Sequence, residues 1–265
     1  MSSEFTSGAG ALDRRLQAYV RQVAVRGREV ERVGPFTATF DPRSDNAYLS
    51  YAFPDADAVP TAEDVEALVA AYRGRARVPR LEFFPSVAPA VAGALSAAGF
   101  AVEAELAVMT CGARDVVALA APDGMTIEAP VTDDDLRGMR IAQHRAFGVQ
   151  EPEVDAAEVE RQRASLREGA LAFLARDTAS GMVVGGGVAT VPAGGVTEIA
   201  GIGVLDSHRR RGIAGAITSA LTAAAIASGN VELAWLTPGD DGAHRVYARA
   251  GFQDKSTMLH VSLPE

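Results

Sequence analysis

The spacing of apolar positions changes period several times along the chain, and each change predicts an element. Leu16, Tyr19, Val20 and Val23 recur at helical spacing, which predicts a core-packed helix over residues 12–28. Alternation over 102–109 reads as a strand. The second half parses more fully. Residues 125–129 read as a short strand. Residues 133–147 carry the stripe Leu136, Met139, Ile141 and Ala142, with Thr132 as N-cap and acids in the first turn. A more charged helix follows over 153–168. Residues 171–176, 182–191 and 196–204 are strand-like, turned at Ala179-Ser180-Gly181 and Ala193-Gly194-Gly195. A helix over 213–228, closed by Gly229, a strand over 231–236, a helix over 243–250 and a strand over 256–261 complete the order β-α-α-β-β-β-α-β-α-β.

Between Thr110 and Met125 the pattern loosens into an alanine-rich stretch ending in Pro122-Asp123-Gly124, which places a domain boundary near Ala120. The expected domains are residues 1–120 and 121–265. A weak repeat relates them: Leu95-Ser96-Ala97-Ala98-Gly99-Phe100 parallels Tyr247-Ala248-Arg249-Ala250-Gly251-Phe252, each closing an alanine-rich helix and opening a strand. A duplicated fold with one altered copy is the natural reading.

Composition narrows the function classes. With 48% hydrophobic and 22% charged residues the chain has ample material for a buried core. No stretch is long and apolar enough to cross a bilayer, and the first ten residues do not read as a signal peptide, so a cytoplasmic location is expected, with no membrane partner. Cys111 is the only cysteine and His144, His208, His244 and His260 are scattered, which predicts no disulfide and no metal site. The net charge of −9 argues against nucleic-acid binding and mildly favours cationic small molecules.

The most informative segment runs from Ile202 to Gly215: a strand, a polar connection, three arginines (Arg209, Arg210, Arg211), then small residues opening an apolar helix. A helix N-terminus presents unpaired amide protons and a partial positive charge, suited to a phosphate. Gly212, Ala214 and Gly215 allow close backbone approach, and the arginines add charge-assisted hydrogen bonds.

Here the sequence resembles the GNAT acetyltransferases, which share an Arg/Gln-x-x-Gly-x-Gly/Ala signature at the turn that binds coenzyme A. The matching residues are Arg209-Arg210-Arg211-Gly212-Ile213-Ala214, preceded by Val204 where the family's valine ends a splayed strand. A second motif, Asn-x-x-Ala-x-x-x-Tyr-x-x-x-Gly-Phe, is matched by the run from Asp240 through Ala243 and Tyr247 to Gly251-Phe252. Asp240 stands where the family has asparagine, and a carboxylate cannot donate the bonds an amide can. The resemblance spans roughly residues 125–262. It implies an α/β (α+β) fold of two acetyltransferase-like domains, each a mixed, mostly antiparallel twisted sheet flanked by helices. It further implies acetyl-CoA as cosubstrate, with Ile202, Gly203, Val204, Arg209, Arg210, Arg211, Gly212, Ile213, Ala214, Gly215 and Asp240 binding it.

Acetyl transfer to an amine needs a neutral nucleophile, support for charge developing on the acyl oxygen, and a proton for the departing thiolate. The resemblance points to Glu198 as general base through a water, to Tyr247 as the acid at sulfur, and to the backbone amide of Val204 as the group that polarises the carbonyl. Straight alternation places Glu198, Ala200, Ile202 and Val204 on one face, unless a bulge at Gly201 or Gly203 resets the register. A solvated strand residue and a core aromatic are the plainer readings of Glu198 and Tyr247. For His144 and Phe147, at the end of the first helix of this half, a packing or surface role outweighs acceptor contact. Gly185-Gly186-Gly187 lies inside a strand pattern and is not a nucleotide loop.

In the first half, the counterpart of the coenzyme turn should follow a strand over 47–53. The chain there carries four acids (Asp55, Asp57, Glu63 and Asp64) and no arginine, a helix start that repels pyrophosphate. Leu95 stands in the position of Tyr247, so this half reads as a degenerate copy. The expected function is N-acetyl transfer to a primary amine of a small molecule or peptide, by a monomer or homodimer. A noncatalytic acetyl-CoA sensor or scaffold is the second reading. A dinucleotide enzyme ranks last, because no Gly-x-Gly-x-x-Gly follows a strand.

Overall fold

The computed structural model of the chain describes residues 4–43, 46 and 49–264, with side chains from residue 10 onward. Two compact units emerge, Met1–Val108 with Lys255–Glu265, and Met109–Asp254. Among the described residues no helix is long and apolar enough to cross a membrane.

The first unit holds α1 (Glu4–Ala24), β1 (Glu29–Val33), β2 (Phe36–Phe40), β3 (Ala52–Pro54), α2 (Ala62–Arg73), β4 (Arg80–Phe83), α3 (Pro89–Ala97), the start of β5 (Ala101–Gly112) and most of β11 (Gln253–Ser262). Its strands lie in the order β1-β2-β3-β4-β11-β5. The pairs β1/β2, β2/β3 and β4/β11 are antiparallel and β3/β4 is parallel. Leu16, Tyr19 and Val20 are buried, as their spacing predicts, although α1 stops at Ala24, short of Gly27 in the left-handed conformation. The strand expected over 47–53 is shorter, Ala52–Pro54, and residues 47 and 48 lie outside the described residues.

The helix after β3 starts on a capping box. Thr61 Oγ1 accepts from the Asp64 amide at 3.1 Å, and Asp64 Oδ2 accepts from the Thr61 amide at 2.8 Å. That helix start is therefore filled by its own carboxylate.

The second unit holds the rest of β5, then β6 (Met125–Glu128), α4 (Asp133–Ala146), α5 (Ala156–Arg167), β7 (Leu171–Asp177), β8 (Val183–Ala189), β9 (Val196–Val204), α6 (Ile213–Ala227), β10 (Leu233–Leu236) and α7 (Asp241–Arg249). Its strand order is β5-β10-β9-β8-β7-β6, antiparallel throughout except between β10 and β9. Thr132 caps α4 through Asp135, as the sequence predicts. The helix predicted from 243 begins at Asp241, because Asp240 is itself the N-cap, accepting from the Ala243 amide at 2.7 Å.

The glycine run in β8 has a packing reason. A β-carbon on Gly186 would overlap Met139 of α4, and one on Gly187 would overlap Ile202 and approach Leu221 and Ile217 of α6 at 3.1 and 3.2 Å. Helices thus press on both faces of this strand at once, and any side chain at these positions would push them off. The main core lies on the α6 face, where Ile199, Ile213, Ile217, Leu221, Leu236 and Phe252 pack together.

The two repeated Gly-Phe segments close their helices alike. The Phe100 amide donates to the Leu95 carbonyl at 3.0 Å and the Phe252 amide to the Tyr247 carbonyl at 3.1 Å, with Gly99 and Gly251 both at positive φ.

Candidate functional site

The site starts from an irregularity in β9. Gly186 pairs with Gly203 and Val188 with Ala200, so Gly187 faces two residues, Gly201 and Ile202, and β9 bulges there with Gly201 at φ 63°. The bulge changes the phase of the strand. Ile199 and Ile202, three apart, both join the α6-side core, whereas β-carbons on Gly201 and Gly203 would point at Gln143 and Ala146 of α4. Glu198 and Ala200 therefore do not share a face with Ile202 and Val204: the straight alternation is broken, and Glu198 lies on the face away from the main core.

Gln143 holds the bulge. This side chain is buried, donates from Nε2 to the Gly201 carbonyl at 2.7 Å, and accepts at Oε1 from Arg140 at 3.0 Å. Arg140 is in turn fixed by Glu158 at 2.7 Å and touches His144 Nε2 at 2.9 Å. His144 thus belongs to a bracing network, whereas Phe147, 65% exposed, lines the cavity described below.

Past the bulge, β9 and β10 part. Their ladder runs from Val196–Leu233 to Glu198–Trp235 and the two strands do not pair beyond it. On the other edge the Leu205 amide donates to Val184 at 2.9 Å. The alternation of an antiparallel ladder then turns the Val204 amide away from β8, toward the side where β10 has diverged.

A 3-10 turn over Asp206–His208 carries the chain into the arginines. Arg209 braces the turn: Nε donates to the Val204 carbonyl at 3.3 Å, one terminal nitrogen donates to the Ala146 carbonyl at 2.9 Å, and the guanidinium pairs with Asp206. Arg210 sits at φ 62° and Gly212 at φ 88°, left-handed conformations that turn the chain sharply into α6. No side chain caps α6 and no acid stands in its first turn, in contrast to α2. Its first amides and the positive end of its dipole are open to an anion.

A cavity of about 1170 Å³ joins these parts. Glu198, Ile202, Gly203, Val204, Arg209, Arg210, Gly212, Ile213, Ala214, Gly215, Asp240 and Tyr247 all line it. Arg211 does not: it is exposed and leans on the Asp123 carbonyl at 3.4 Å. The third arginine of the expected coenzyme grip is thus turned off the site, because the left-handed residues on either side of it swing its side chain outward. Gly215 is buried where a β-carbon would lie 3.1 Å from Leu119 and 3.7 Å from Val246, so packing alone demands a small residue there.

Glu198 is half-buried at the end of the paired part of β9, and its amide donates to Thr190 Oγ1 at 3.1 Å. Tyr247 packs against Phe252 at a ring separation of 6.4 Å, and burial, with the nearby Asp240 carboxylate, pushes its phenol up to about 12. It stays protonated at neutral pH and remains a proton donor. Cys111 is buried, and its thiol is pushed up to about 11 by burial and Asp115, which removes it as a nucleophile. Among the described residues no three His, Cys, Asp or Glu side chains gather to hold a metal ion. The cavity also recruits residues that the motifs did not single out, chiefly Arg245, Arg249 and Thr237. The i, i+4 spacing of the two arginines around Tyr247 was the signal available for them.

Residues 126–252 match the model of the acetyltransferase (GNAT) family. No curated protein matches the chain. Among solved structures, a GCN5-related N-acetyltransferase from Kribbella flavida is 28% identical with a TM-score of 0.79, covering 96% of each chain. One from Sphaerobacter thermophilus is 18% identical with a TM-score of 0.67, covering 98% of this chain and 94% of that one. A tandem GNAT protein from the clavulanic acid biosynthesis pathway is 15% identical with a TM-score of 0.61, covering all of this chain and 96% of its own. These last two likenesses concern the fold alone.

Proposed function

We propose, from the match of residues 126–252 to the acetyltransferase (GNAT) family, that this chain transfers an acetyl group from acetyl-CoA to a primary amine, on a small molecule or a peptide, by direct attack. The observation that carries the reading is the uncapped, acid-free start of α6 opening on the same cavity as Glu198 and Tyr247.

The residues present suit the coenzyme. The cavity, about 1170 Å³, has room for a long ligand. The amides opening α6, with Arg209 and Arg210, would hold the pyrophosphate, and the outward-turned Val204 edge suits the peptide-like pantetheine arm as an added strand. When bound, acetyl-CoA supplies an activated acyl carbonyl and a thiolate leaving group. The Val204 amide polarises the carbonyl oxygen. Glu198 takes a proton from the attacking amine, through a water, and Tyr247 gives its proton to sulfur as the carbon–sulfur bond breaks.

Residues 1–108 with 255–265 are proposed to be a degenerate acetyltransferase-like domain and residues 109–254 the catalytic one, in place of the boundary near Ala120 expected from the sequence. The self-capped start of α2, Leu95 in place of Tyr247 and the shared Gly-Phe cap support this reading.

Calorimetric titration with acetyl-CoA, beside an Arg209→Ala/Gly212→Glu variant, tests it. One-to-one micromolar binding that the variant loses is expected; no binding by the unaltered protein would sink the proposal. Release of free thiol from acetyl-CoA across an amine panel then separates the enzyme from a noncatalytic sensor, which would bind without turnover.

A further inference from the structure

The arginine turn and the start of α6 account for one anionic group, whereas coenzyme A carries two that lie apart, the pyrophosphate and the 3′-phosphate on its ribose. We propose that Arg245 and Arg249 of α7 form the second anion site and take that 3′-phosphate, an inference that rests on the coenzyme reading above.

Most arginines of this unit are already engaged: Arg140 with Glu158, Arg163 with Asp133, Arg167 with Glu160, and Arg176 with Glu128 and Asp135. Arg245 and Arg249 are exposed, line the cavity, and make no ion pair or hydrogen bond among the described residues. That is a notable position in a chain with 34 acidic side chains and a net charge of −9. Four residues apart on one helix, they stand on one face about 6 Å from each other, a spacing at which two planar guanidinium forks can share one phosphate. Val246, between them, lies 3.7 Å from where a Gly215 β-carbon would be, so α7 is packed against the first turn of α6. Both anion sites therefore belong to one cavity wall system. Two acids stand at this helix start: Asp240, the N-cap, has one carboxylate oxygen committed to the Ala243 amide, and Asp241, one turn before Arg245, is exposed and makes no ion pair with it.

An anionic acceptor substrate could use the same pair, and the choice of ligand separates the two sources. Calorimetric titration with CoA and with dephospho-CoA, which lacks only the 3′-phosphate, would be run on the unaltered protein, on Arg245→Ala/Arg249→Ala, and on Arg161→Ala, an exposed α5 arginine outside the cavity. The unaltered protein and the Arg161 variant should prefer CoA by about 10- to 100-fold, and the double variant should bind both ligands alike at the dephospho-CoA affinity. Equal binding of the two ligands by the unaltered protein, or a preference that survives in the double variant, overturns the inference while leaving the coenzyme site standing. Binding of neither ligand by the unaltered protein defeats the coenzyme reading itself. Thermal melting of the double variant at the unaltered temperature, expected for exposed helical positions, ties any loss to the ligand.

Discussion

The Gln143 side chain of α4 reaches across to β9 and donates to the Gly201 carbonyl, 2.7 Å away, at the one place where that strand leaves its ladder. The bond joins the helix under the sheet to the bulge that separates Glu198 from Val204. Gln143→Leu should leave a buried carbonyl unpaired and cost about 1–3 kcal/mol. Denaturant unfolding would show it as a lower midpoint at unchanged slope, together with weaker acetyl-CoA binding. A variant as stable as the unaltered protein would mean that the bulge holds itself.

Gly187 tests how tightly β8 is clamped. Gly187→Ala would drive a methyl group into Ile202, Leu221 and Ile217, and overpacking of this kind costs about 1–3 kcal/mol. Gly93→Ala in α3, where a β-carbon meets nothing within 4 Å, should instead be neutral or stabilising by up to about 1 kcal/mol. Thermal denaturation of the two variants side by side should move the midpoint in opposite directions, or leave the second unmoved.

Tyr247→Phe should lower the rate of thiol release by about 100-fold or more while leaving acetyl-CoA affinity and stability nearly unchanged. The phenol, pushed up to about 12, is protonated across the working range, so any alkaline fall in rate below pH 11 should be the same in the variant. An unchanged rate in Tyr247→Phe would leave this side chain a core aromatic.

Asp55 gives a stability prediction in acid. Its hydrogen bond to Arg32, helped by Arg21, lowers its carboxyl from 3.8 to about 2 against the opposing effect of burial. A depressed folded value stabilises the protein above the unfolded pKa, so the contribution is complete above pH 4 and disappears as pH falls through about 2. Allowing for partial exposure it amounts to about 1 kcal/mol. Asp55→Asn should lower stability at neutral pH by that amount and flatten its decline between pH 4 and pH 2, measured by urea unfolding at several pH values.

Much of the second unit was legible because local signals agree there. Residues 196–204 and the start of α6 at Ile213 are found where the pattern puts them, since the β-branched run, the small residues after the arginines and the apolar stretch that follows all point the same way. The first unit was harder to read. Phe36–Phe40 is buried at every position, so β2 shows no alternation, and β4 is only four residues long.

By itself the sequence determined the element order from residue 125 onward and the small-residue helix start behind the arginines, both set by neighbours within a few residues. Only the tertiary structure decided the rest. It set the phase of β9 through one extra residue at Gly201–Ile202, turned Arg211 away while bringing Arg245 and Arg249 to the cavity, and placed Gln143 under a strand 58 residues further on. A single inserted residue flips every side chain beyond it, and a helix face has no direction until something packs against it, so neither can be read from the order of residues alone.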